Sequence, residues 1–264
     1  MGRLTGEGIF MKKIALVFDA DNTLMRGYHP SAILEKRGID VNEFWKKVTS
    51  LQDKEKAKGE SNVEIVYLAM LMHEIRYGKL KGLTIKELKE TGKEIDKILY
   101  KGLPEFFDKL RKNNEDKHIS YNIVSVGIKP LLEGSSLAKY MDRIFGYTFF
   151  DDLTEGEGID EIKSTSSTAE KIPAIVSISY GKGIEEFEYP IKEMIYFGDG
   201  ETDRPAFKFV KKRNGIAICV YDPDKQGAKE YAMKLKEDVN YILPADYTEG
   251  SELWNTVNEI IKKL

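Results

Sequence analysis

A chain of 264 residues, 41% hydrophobic and 32% charged, carries enough apolar material for one large domain or two modest ones, and enough charge for a well-solvated surface. A formal net charge of −3, with lysines dispersed along the sequence, offers no basic patch to recruit nucleic acid or an anionic membrane, so neither is an expected partner. The single cysteine, Cys219, excludes an intramolecular disulfide or a cysteine-cluster metal site; no apolar run has membrane-span length and no signal-peptide pattern opens the chain, so a reducing cytoplasm is the expected compartment.

Met1 to Phe10 holds three glycines and no periodicity, and reads as a frayed leader without chemistry. Ile14 to Phe18 is an uninterrupted apolar run of strand length, the pattern of a strand buried on both faces in a parallel sheet. It runs into Asp19, Asp21 and Thr23. Ligands of open α/β sheets bind beyond the carboxyl ends of the strands, which places the two acids at the mouth of such a crevice.

Helical periodicity then holds for some eighty residues. Val41, Phe44, Trp45, Val48 and Leu51 share one helix face, followed by a lysine-rich, flexible stretch from Gln52 to Gly59. Ser61 with Glu64 and Thr84 with Glu87 form capping boxes ahead of helices at Val63–Ile75 and Leu88–Leu99. These helices either form a small inserted domain or pack on the sheet; a crossover needs only about a dozen residues, so the length favours an insertion.

Pro104 opens another helix, and strands and helices alternate from there. The expected strands are Tyr121–Val124, Ile144–Phe149, Met194–Phe197, Gly215–Val220 and Tyr241–Leu243. Helices are expected at Pro130–Tyr140, Thr168–Ser179, Arg204–Val210, Gly227–Lys236 and Ser251–Leu264. The polar stretch Asp151–Thr168 reads as a surface connection. Alternation predicts an α/β fold, a parallel Rossmann-like sheet covered by helices on both faces. Cys219, inside Ile216–Val220, reads as a buried small hydrophobe.

A second apolar strand ends in acids at Met194–Asp203, M-I-Y-F-G-D-G-E-T-D. Carboxylates converging at neighbouring strand ends repel and resist ionisation unless a hard, oxygen-preferring cation neutralises them.

Asp19-Ala20-Asp21-Asn22-Thr23 resembles the first motif of the haloacid dehalogenase-like (HAD) superfamily of phosphohydrolases, usually Asp-x-Asp-Gly-Thr or Val. Asn22 stands where that family most often has glycine, and asparagine tolerates the left-handed turn. Gly198, Asp199 and Asp203 match the fourth motif, Gly-Asp-x-x-x-Asp. The resemblance implies a core domain at 11–25 and 103–264 with a small helical cap inserted at 26–102. It implies Mg²⁺ held by Asp19, Asp199 and the Asp21 backbone carbonyl, with Asp203 orienting a water or bridging to a lysine. The second motif falls on Ser125, with Gly127 behind it as a further substrate contact, and the phosphate-binding lysine on Lys171, with Lys163 as the other candidate.

The implied activity is a Mg²⁺-dependent phosphatase acting on a small phosphorylated metabolite. Asp19 is the nucleophile that becomes an aspartyl phosphate, and Asp21 is the general acid, then base. Asp21 separates phosphate chemistry from dehalogenation, which needs no leaving-group acid. Four ionised aspartates facing one lysine and one Mg²⁺ leave a single negative charge, which a proton on Asp21 cancels. A phosphotransferase or mutase would use the same intermediate, and a non-catalytic binding module would keep the fold alone. Arg26, Tyr28, His29, Trp45, Tyr67 and Arg76 are cap side chains in reach of a substrate, with helix packing the expected role of the aromatics. His29, His73 and His118 share no metal-ligand spacing and read as structural or exposed.

Overall fold

The apolar run at Ile14–Phe18 forms the middle of a sheet because both of its faces are apolar. Ile14, Leu16 and Phe18 pack into one hydrophobic core, Ala15 and Val17 into another on the opposite face. The computed structural model describes residues 11–60, 65–151, 158–164, 171–181, 183 and 186–264. The leader at Met1–Phe10 and the cap pair Ser61 and Glu64 lie outside them, as does the start of the helix expected from Thr168.

In chain order, β1 (Lys12–Phe18) is followed by α1 (Ser31–Lys36), α2 (Val41–Ala57), α3 (Ile65–Tyr77) and α4 (Ile85–Thr91), and α4 continues as a 3-10 helix over Gly92–Lys97. Next come α5 (Glu105–Asn113), β2 (Lys117–Ile128), α6 (Lys129–Gly134), β3 (Arg143–Phe150), β4 (Glu161–Ser164) and α7 (Lys171–Tyr180). The chain closes with β5 (Met194–Gly198), α8 (Arg204–Lys211), β6 (Ile216–Tyr221), α9 (Ala228–Met233), β7 (Tyr241–Pro244) and α10 (Glu252–Lys263).

Among the described residues the sheet has seven strands in the order β4-β3-β2-β1-β5-β6-β7, parallel throughout except for β4. α5 and α10 cover one face through Phe106, Phe107, Trp254 and Ile261. α7, α8 and α9 cover the other through Ile175, Ile178, Phe207, Val210 and Ala232. The sequence-based α/β fold is therefore the observed one, and Cys219 is fully buried in the second core.

Four local expectations need correction. Glu161–Ser164, inside the stretch read as a surface connection, pairs antiparallel with β3 as an edge strand. Gln52–Gly59 is not a flexible link: α2 runs on through Ala57, because Gln, Lys, Glu and Ala are all good helix formers. The helix expected at Leu88–Leu99 changes to 3-10 geometry at Gly92. The helix expected at Pro130–Tyr140 stops at Gly134, and a 3-10 turn, Ala138–Tyr140, follows.

The last two corrections share a cause. A Cβ on Gly92 would lie 2.1 Å from the Leu131 carbonyl oxygen, and one on Gly134 would lie 1.8 Å from that of Lys89. The α4 segment and α6 thus meet backbone to backbone. Each glycine permits that approach and weakens its own helix.

Candidate active site

Phe18 of β1 lies opposite Phe197 of β5, so the residues after these strands leave the sheet side by side. The Asp19 N–H donates to the Phe197 carbonyl at 2.8 Å, and the amides of Thr23 and Leu24 both donate to the Ala20 carbonyl. Asn22 adopts the left-handed conformation with φ of +55°, and its Oδ1 accepts from the Gly27 N–H at 3.1 Å. Asparagine does here what glycine would do, and its side chain closes the turn as well.

Beneath the turn lies a buried ion network. Lys171 Nζ donates to Asp19 Oδ1 at 2.8 Å and to Asp203 Oδ1 at 2.7 Å. The Tyr196 hydroxyl also donates to Asp203 Oδ1, at 2.6 Å. Asp203 Oδ2 accepts from the amides of Asp199 and Gly200 at 3.0 and 3.3 Å. Both oxygens of this buried carboxylate are therefore satisfied by protein donors. Gly198 makes room for it, since a Cβ there would lie 2.3 Å from the Asp203 carboxyl carbon.

Oxygens of Asp19, Asp199 and Asp203 lie within 4.8 Å of one another. Burial pushes Asp19 up to about 7, with Lys171 drawing it back and Asp203 adding to the rise. Burial, then Asp203 and Asp19, holds Asp199 well above the carboxylate range. Burial opposes the Lys171 charge, but Asp19 and Asp203 outweigh it and raise its pKa. One ammonium does not balance two buried acids, Asp19 and Asp203, and the half-buried Asp199 beside them. A second cation that favours oxygen ligands fits the donor set, and Asp19 and Asp199 could hold it. The Asp21 carboxylate lies outside this group; its Oδ1 accepts from the His29 backbone at 2.8 Å and contacts His29 Nδ1 at 2.7 Å.

A cavity of about 340 Å³ opens above these residues, with Asp19, Asp21, Gly127 and Asp199 in its floor and Tyr28, Trp45, Tyr67 and Tyr231 in its walls. The ring centroids of Tyr28 and Trp45 are 4.9 Å apart, and those of Trp45 and Tyr67 5.6 Å. Val48 and Gln52 of α2 also line it.

Of the residues expected at the site, Asp19, Asp21, Asp199, Asp203 and Lys171 are brought together. Ser125 is buried beside the cavity, where its Oγ accepts from the Gly127 N–H at 3.0 Å and keeps its own proton to donate. Gly127 lines the cavity with its amide already engaged. Lys163 instead lines a larger concavity of about 790 Å³ at the β3 edge, away from the aspartates. Arg26 pairs with Asp222 and Asp224, and Arg76 with Glu161; neither lines the cavity.

Sequence reasoning passed over Tyr196, Tyr231 and the role of His29. Tyr196 had a readable signal, a hydroxyl in the midst of an apolar strand, which demands a buried partner. His29 had none, because its second partner, Ile128, is distant in sequence.

No family model matches the chain. An uncharacterized protein of Borreliella burgdorferi is 26% identical over 278 aligned positions, covering 94% of this chain and 96% of that one. Among solved structures, a HAD family hydrolase from Salmonella enterica serovar Typhi aligns with a TM-score of 0.57 and 18% identity, over 87% of this chain; the alignment spans 66% of that protein. A phosphoserine phosphatase solved as a phospho-aspartyl intermediate analogue aligns with a TM-score of 0.56 and 21% identity, over 96% of this chain and 99% of that one. The chain therefore has the α/β fold of HAD family hydrolases and phosphoserine phosphatases.

Proposed function

We propose that the chain is a Mg²⁺-dependent phosphatase that hydrolyses a small phosphorylated metabolite through an aspartyl phosphate on Asp19. The observation that carries this reading is the placement of Asp19. It sits at the end of β1 with Oδ1 held by a buried lysine, Asp199 beside it and Asp21 two residues on, all at the floor of one cavity. The fold shared with phosphoserine phosphatases supports a phosphate ester as substrate.

Lys171 orients the Asp19 carboxylate, which attacks phosphorus as the bond to the leaving oxygen breaks. Asp21 gives that oxygen a proton. Water then attacks the aspartyl phosphate, Asp21 takes up its proton, and Asp19 is released with inorganic phosphate. The Ser125 hydroxyl is a donor for a phosphoryl oxygen. Asp19 and Asp199 would hold the Mg²⁺, which would supply positive charge that keeps both acids ionised and offsets the phosphoryl charge.

Residues 26–102 form the cap of this reading, with α2 and α3 as the part that covers the cavity. The organic portion of the substrate meets the rings of Tyr28, Trp45 and Tyr67. The Tyr67 hydroxyl is buried and makes no hydrogen bond among the described residues, so it is available to a bound molecule.

The test is phosphate release from a panel of phosphorylated metabolites, with Mg²⁺ and with EDTA, for the wild type and for Asp19→Asn. Release that requires both the metal and Asp19 is expected. Full activity in Asp19→Asn would exclude Asp19 as nucleophile.

A further inference from the structure

His29 follows the catalytic turn and is fully buried, yet it belongs to neither the ion network nor the apolar core. The Ile128 N–H donates to its Nε2 at 2.9 Å. An imidazole nitrogen that accepts an N–H carries no proton of its own, so the ring proton is on Nδ1. Nδ1 lies 2.7 Å from Asp21 Oδ1 and donates to it, and the His29 backbone N–H donates to the same oxygen at 2.8 Å. Two donors converge on one oxygen of Asp21.

The ring also explains a glycine. A Cβ on Gly127 would lie 2.0 Å from His29 Cε1 and 2.5 Å from Nε2. Only glycine leaves space for the imidazole to reach from the end of β2 to the end of β1. The site thus contains a built relay: the Ile128 amide sets the tautomer, the tautomer sets the donor, and the donor holds Asp21.

We propose that His29 is the positioning residue of the general acid, pinning Asp21 through Oδ1 so that Oδ2 is the oxygen that exchanges the proton. This rests on the phosphatase reading above. In the first half-reaction Asp21 Oδ2–H passes its proton to the ester oxygen as the bond from phosphorus to that oxygen breaks and the bond to Asp19 forms. In the second, the same Oδ2 takes a proton from water as the water oxygen bonds to phosphorus and the Asp19–phosphorus bond breaks. A carboxylate free to rotate would present either oxygen, at a changing distance from the leaving group.

The test uses two esters of similar size whose leaving groups differ in their need for a proton. Benzyl phosphate leaves as a basic alkoxide and needs the acid; 4-nitrophenyl phosphate leaves as a stable phenolate and does not. The readout is kcat/KM, which reports the step up to aspartyl phosphate formation and so isolates the leaving-group proton from the later water step. For His29→Ala and His29→Gln we expect kcat/KM on benzyl phosphate to fall about 30-fold or more, and that on 4-nitrophenyl phosphate to change by less than about 3-fold. His29→Asn, whose amide nitrogen can occupy the place of Nδ1, is expected to recover most of the loss.

Retained 4-nitrophenyl phosphate activity is its own proof of folding. Should His29→Ala not fold, His29→Gln, which fills more of the space of the ring, is read in the same way. Equal losses on both esters, or no loss on either, would overturn the role of His29 alone. No release by the wild type from either ester would overturn the phosphatase reading, and this role with it.

Discussion

Asp203 accepts from Lys171, from the Tyr196 hydroxyl and from two backbone amides, so removing any donor leaves a buried carboxylate short of a partner. Tyr196→Phe is expected to cost about 1–2 kcal/mol in urea unfolding, and an unchanged midpoint would show that the hydroxyl is dispensable. Gly198→Ala drives a methyl into the same carboxyl group and is expected to cost about 2–3 kcal/mol. Asp19 adds a pH dependence. Its pKa is raised from 3.8 to about 7, so between those values the folded metal-free protein binds more protons than the unfolded chain. Its contribution to stability therefore falls as pH rises through that window. A metal ion must displace those protons at low pH. Mg²⁺ is expected to raise the melting temperature more at pH 8 than at pH 5, and equal shifts at both would separate the metal from Asp19. At this scale the acids were legible in the sequence, because each pair directly follows an apolar strand. His29 was not, because its meaning depends on Ile128, 99 positions away.

At the scale of elements, strands β1 and β5 could be read because burial on both faces requires continuous apolar runs. β4 could not: Glu161, Lys163 and Ser164 are exposed, and an edge strand needs no apolar pattern. The segment between β1 and α5 follows the same logic. α2, α3 and α4 were legible by periodicity and capping boxes, the short α1 was not, and the break at Gly92 reflects a partner far along the chain. Substituting alanine at Gly92 or Gly134 would part the α4 segment from α6, and a loss of about 1–3 kcal/mol in thermal or urea unfolding is the expected outcome. Wild-type stability in both variants would mean that this backbone contact contributes nothing to holding the α4 segment against α6.

For the whole molecule, the ends of β1 and β5 deliver the acids, the segment between β1 and α5 delivers Tyr28, Trp45 and Tyr67, and α9 delivers Tyr231, and the cavity lies where these meet. The residues of the floor were readable from motif order; of the walls, Tyr28, Trp45 and Tyr67 were among the candidates but with packing as their expected role, because an aromatic on a helix face looks the same whether it packs or lines a cavity. Tyr67→Phe is expected to raise KM for the physiological ester while leaving kcat within about 3-fold, a result that would assign its hydroxyl to binding. The central claim is that phosphorus passes through Asp19. It is tested most directly by acid-quenching the enzyme during turnover with Mg²⁺ and measuring the mass of the peptide that contains Asp19. A gain of one phosphoryl group, absent in Asp19→Asn and absent without substrate, is the predicted result. Turnover with no phosphoryl group on that peptide, or with one on another residue, would contradict it.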